Sequence, residues 1–147
     1  MLFTAVPIYF RWLFINGEVM KKVAKLFGMF VILGVLAGCA RTAPIANIQT
    51  TVSAGHTDAQ VKNAILKAGI QRQWIMNEVS PGVIKARQQA RDFTADVRIN
   101  YTANGYSINY ENSLNLRASD GKIHKNYNRW VRNLDKDIQV NLASSGL

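Results

Sequence analysis

The sequence predicts an α+β domain: a small antiparallel sheet of three to four strands with two helices packed on one face, in the order helix, strand, strand, strand, helix. Three observations predict it. Apolar residues recur at helical spacing in two segments, one after Thr57 and one after Ile123. Between them the apolar period is two. Turn signals at Pro81-Gly82 and Asn104-Gly105 cut that alternating stretch into hairpins.

The first helix is marked by Thr57 as N-cap, Asp58 in the first turn, and Val61, Ala64, Ile65 and Ala68 along one face, with Gly69 as its stop. Arg72 to Val79 then alternates, with Trp74 and Met76 on one side and Ile75, Asn77 and Val79 on the other. Val83 to Arg91 follows, with Ile84, Ala86 and Ala90 in phase and Lys85, Arg87, Gln89 and Arg91 opposite. Phe93, Ala95, Val97, Ile99 and Tyr101 form the clearest half-buried strand. Tyr106, Ile108 and Tyr110 alternate after the Asn104-Gly105 turn, and Leu114 and Leu116 extend that pattern. Arg117 to Lys122 reads as a loop. The last helix is expected from Ile123 to Leu142, with Tyr127, Trp130, Val131, Leu134 and Ile138 in its apolar stripe and Lys125, Arg129, Arg132, Lys136 and Gln139 elsewhere on its surface.

Composition bounds the function. A chain of 147 residues is about one domain. Its single cysteine excludes an intrachain disulfide and a cysteine zinc cage, and two histidines do not supply a metal site instead. The 18 Lys and Arg against 9 Asp and Glu give a formal charge of +9. From Cys39 onward the chain carries 14 basic and 8 acidic residues, so part of that charge belongs to the N-terminal segment.

That segment is the most specific signal. Lys21, Lys22 and Lys25 precede 13 uncharged residues, Leu26 to Gly38. The run is too short to span a bilayer and fits the positive and apolar regions of a secretory signal peptide. Leu36-Ala37-Gly38-Cys39 resembles the lipobox of bacterial lipoproteins. The resemblance implies cleavage between Gly38 and Cys39 by signal peptidase II, with Leu36, Ala37 and Gly38 as the recognition residues. It also implies a covalent diacylglycerol and an N-acyl chain on Cys39, and no other cofactor. Ala40, where Asp would favour inner-membrane retention in that family, implies an outer-membrane anchor facing the periplasm.

Four segments follow from this reading. Residues 1–19 precede a complete signal peptide and are expected to be an N-terminal extension or a mis-assigned start, with translation beginning at Met20. Residues 20–38 are the signal peptide, 39–56 a lipidated tether rich in small and polar residues, and 57–147 the α+β periplasmic domain. Within the tether, Ile48, Thr50 and Val52 alternate and offer an edge strand as the alternative.

Candidate binding residues are few. Lys85, Arg87 and Arg91 share a parity, and Arg98 lies on the next strand. They form a candidate anion-binding face for phospholipid head groups, lipopolysaccharide phosphates or acidic cell-wall groups. The plainer reading is a solvated strand face in which Asp96 and Glu111 make cross-strand pairs. His124 and Asn128, one turn apart, are either ligand contacts or groups that satisfy backbone at a helix end. Asp135 and Asp137 do not share a helix face, and no nucleophile elbow or phosphate-cradling loop occurs. These residues point to a non-catalytic interaction module with an envelope protein partner and a membrane anchor. Export and the absence of a recognition motif argue against nucleic acid. Beyond the lipobox, the chain resembles small uncharacterised envelope lipoproteins in architecture alone, and architecture does not transfer function.

Overall fold

The computed structural model describes residues 40–146. The lipobox residues Leu36, Ala37, Gly38 and Cys39, and the segments 1–19 and 20–38, lie outside the described residues. In chain order the elements are β1 (Thr42–Pro44), β2 (Ile48–Thr51), α1 (Asp58–Gln71), β3 (Ile75–Ser80), β4 (Val83–Ala90), β5 (Phe93–Thr102), β6 (Gly105–Leu114), β7 (Lys122–His124) and α2 (Lys125–Ser145). The class is α+β with two helices. The sheet is larger than three to four strands: five antiparallel strands run in the order β2-β6-β5-β4-β3, and β1 pairs with β7 in a separate ribbon. Two strands therefore precede the first helix. They are only three and four residues long; β2 lies where Ile48, Thr50 and Val52 alternate, and it is the edge strand offered there as the alternative to a tether, while β1 is too short for a period of two to stand out.

Each element follows from local chemistry. Thr57 caps α1 in a reciprocal box: its hydroxyl accepts from Gln60 N, and the Gln60 side chain accepts from Thr57 N. The helix runs past Gly69 to Gln71. Gly69 is instead the place where Met76 crosses, since a Cβ there would collide with the Met76 thioether. Gly82, at φ +81°, follows Pro81 in the β3–β4 turn, the combination a type II turn requires. At the β5–β6 hairpin the turn residues are Ala103 and Asn104, and Gly105 opens β6 without a positive φ. It is needed for close approach: a Cβ on Gly105 would lie 2.8 Å from the Thr50 carbonyl oxygen of β2.

One face of the sheet carries the core. Ile84, Ala86, Val97, Ile99, Tyr101, Tyr106 and Ile108 pack with Val61, Ile65 and Ala68 of α1 and Tyr127, Val131, Leu134 and Ile138 of α2. A bulge in β6 changes the parity. Tyr110 pairs with Val97 but Asn112 with Asp96, so Glu111 is the extra residue. Leu114 consequently falls on the open face and is exposed, while Leu116 re-enters the core beyond Asn115, whose φ is +61°. Ile123, expected to begin the last helix, is a buried residue of β7.

The segment read as a tether, 39–56, includes β1 and β2, and Val52 is buried. Asn128 holds it. The Asn128 amide oxygen accepts from Ala46 N and its nitrogen donates to the Pro44 carbonyl, both at 2.9 Å. Tyr127 Oη donates to the Ala46 carbonyl at 3.5 Å and stacks edge-on against Tyr110. His124 caps α2, its Nδ1 accepting from Asn126 N at 3.2 Å. Both residues thus satisfy backbone groups. Burial raises the phenol pKa of Tyr127 well above its ordinary value.

Candidate functional site

With both helices on one face, the other face of the sheet stays open. Its centre is a groove of about 330 Å3 lined by Ile75 and Asn77 of β3, Lys85 and Arg87 of β4, Asp96 of β5 and Glu111 of β6. Period-two alternation places these side chains together, because their neighbours point into the core.

The charges on this face are matched. Arg87 lies directly opposite Asp96 and grips it with two parallel bonds, Nε–Oδ1 at 2.6 Å and Nη2–Oδ2 at 2.9 Å. That carboxylate raises the guanidinium pKa above its ordinary value. Lys85 lies directly opposite Arg98, a like-charge pairing that costs stability by itself. The bulge resolves it. Glu111 accepts from Arg98 Nε at 2.7 Å and sits 3.5 Å from Lys85 Nζ, bridging both cations. A bulge that re-aims one side chain is the device that makes this possible.

Three of the four candidate anion-binding residues, Lys85, Arg87 and Arg98, therefore come together, each with a carboxylate partner. Arg91 does not join them. It occupies the two-residue β4–β5 turn with Asp92, at φ +56°, and makes no ion pair among the described residues. The hairpin closes at Ala90 and Phe93, so a strand that was expected to run through residue 91 ends one residue earlier.

The margin of the groove is more distinctive than its centre. β3 is an edge strand, paired only with β4 among the described residues. Its outer positions carry Ile75 at 62% exposure and Val79 at 45%. Alternation placed Ile75 and Val79 on the face opposite Trp74, but it did not show that this face is uncovered. Elsewhere, Tyr106 Oη donates to Asp135 at 2.6 Å, joined by the Thr50 hydroxyl at 2.8 Å and the Gln139 amide at 2.9 Å. Burial first, and then the adjacent carboxylate, push the Tyr106 phenol pKa far up. Among the described residues no group of three or more His, Cys, Asp and Glu converges on one point, and no helix is long and apolar enough to cross a membrane. Compared with models of known protein families and with curated proteins, the chain gives no match.

Proposed function

We propose that this chain is a bacterial envelope lipoprotein, anchored through acyl chains on Cys39 in the outer membrane and facing the periplasm. Its domain is a non-catalytic interaction module that takes an extended segment of an envelope protein along the β3 edge. The lipobox Leu36-Ala37-Gly38-Cys39 supports the anchor. The observation that carries the binding reading is the β3 edge itself, a strand paired on one side only among the described residues, with the apolar side chains of Ile75 and Val79 exposed along it. An extended peptide added there gains main-chain hydrogen bonds for affinity and side-chain contacts for selectivity.

Two measurements test this reading. The intact mass of the membrane-extracted protein should equal residues 39–147 plus acyl chains, and the Cys39→Ala variant should lack them. A photo-reactive residue at Asn77 should then capture one protein species in living cells, and Ile75→Asp should abolish the capture. Equal capture from Ala54, in the turn that follows β2 at the other edge of the sheet, would overturn binding at β3. A second reading, an anionic lipid, glycan or small molecule in the same groove, is supported by Lys85 and Arg87 lining it beside Asp96 and Glu111. It requires that Arg87→Glu abolish ligand binding.

A further inference from the structure

We propose that the helix side of the domain, through Lys125, Arg129, Arg132 and Lys136 of α2, rests on the anionic phospholipid head groups of the membrane that holds the anchor. The proposal rests on the lipoprotein reading of Cys39.

The chain leaves little slack between anchor and domain. Thr42, the first residue of β1, is three residues beyond Cys39, a reach of at most about 11 Å. β1 is itself fixed. It pairs with β7, and the Arg41 carbonyl accepts from Lys125 N at 3.1 Å. The anchored end of the domain therefore meets α2 at its first residue.

From that residue a basic stripe runs along the helix. Positions 125, 129, 132 and 136 are spaced four, three and four residues apart, so they share one face over about 16 Å. All four are exposed, and none makes an ion pair among the described residues. The two carboxylates of α2 are turned elsewhere. Asp135 serves Tyr106, Thr50 and Gln139, and Asp137 pairs with Arg72. Exposed Arg41, Arg117 and Lys122 add positive charge at the anchored end, where Asp120 is the nearby acidic residue of the loop. Val140, one turn past Lys136, leaves an apolar side chain 57% exposed.

A lipid anchor beside a polybasic face is a two-signal attachment: the acyl chains hold the protein, and the cations orient it on phosphate groups. The opposite face of the sheet, where the cations are already paired, then points away from the bilayer. That orientation leaves the β3 edge open to a partner.

The test uses the full lipidated protein in vesicles of phosphatidylethanolamine with phosphatidylglycerol, or with phosphatidylcholine as the neutral control. A water-soluble amine-acylating reagent is added, and modification rates are read by peptide mass spectrometry. Lys125 and Lys136 should slow about fivefold or more in the anionic vesicles relative to Lys85, which lies on the open sheet face. Arg129→Glu with Arg132→Glu should remove the difference, and both residues are exposed, so the core is left intact. Equal rates in both vesicles, or slowing at Lys85 instead, overturns the orientation. Intact mass on the same sample separates the two failures. Acylated protein with equal rates overturns the docking alone, whereas protein without acyl chains overturns the lipoprotein reading and the docking with it.

Discussion

Replacing Asn128 by Ala tests what turns the segment before α1 from a tether into part of the domain. Asn128 is 3% exposed and makes two 2.9 Å hydrogen bonds, to Ala46 N and to the Pro44 carbonyl. Each bond contributes about 1 kcal/mol net, and the buried groups left unpaired add a desolvation cost of about 1–3 kcal/mol. The expected loss is about 2–4 kcal/mol, a large share of the roughly 5–15 kcal/mol that holds a domain folded. Urea unfolding measures the total. Amide hydrogen exchange locates it: Ile45 and Ala46 should lose protection, while Val97 and Ile99 keep theirs relative to the new global stability. Asn128→Asp retains the acceptor for Ala46 N but sets a carboxylate oxygen against the Pro44 carbonyl. Its penalty should be largest near neutral pH and fall on acidification, when a protonated carboxyl regains the donor. A loss below about 0.5 kcal/mol with Ala46 still protected would refute this reasoning. The same variant should weaken lysine protection on anionic vesicles, because a released β1 restores slack between anchor and helix.

Three other perturbations have definite expected outcomes. His56 bridges the Ser53 and Leu142 carbonyls through its two ring nitrogens, at 3.0 and 3.1 Å, and only the imidazolium can donate to both. Those carbonyls, Ser53 first, raise its pKa above the usual value, so its stabilisation is complete below about pH 6.5 and is lost as pH rises through the raised value. Melting temperatures should therefore fall between pH 6 and 8.5 more in the parent than in His56→Ala, and parallel curves would exclude the bridge. Gly105→Ala forces β2 away from β6 because the obstructing atom is backbone, and should cost about 1–3 kcal/mol by urea titration. Tyr106→Phe removes one donor from Asp135 and should cost about 1.5–3 kcal/mol, with Thr50→Val adding less than its single-variant value because both serve one carboxylate.

Much of the fold was legible because it is governed by nearest neighbours. Thr57 and Asp58 start α1 whatever surrounds them, and the alternation from Phe93 to Tyr101 assigns a buried face without knowledge of the partner strands. Leu114 was not legible. Its side depends on the extra residue at Glu111, and a bulge appears only when two strands are laid in register. Ile123 was placed in a helix because its spacing to Tyr127 is helical, yet its backbone pairs with Ala43, eighty residues earlier. The candidate anion face divides in the same way. Parity found Lys85 and Arg87, but the end of the hairpin decided where Arg91 lies, and register decided that Glu111 bridges Lys85 and Arg98.

The α+β class, the capped first helix and the meander of hairpins were all readable from the sequence, because they rest on periods and caps within a few residues. The tertiary structure made Thr42–Pro44 a strand and chose the edge strand over the tether at Ile48–Thr51, since three or four residues have no hydrogen-bond partners of their own and become strands only when β7 and β6 supply them. It also decided which of the two basic surfaces is neutralised. Ion pairing depends on distances set by register, and register brings Asp96 and Glu111 to the sheet cations while those of α2 have no ion-pair partner among the described residues.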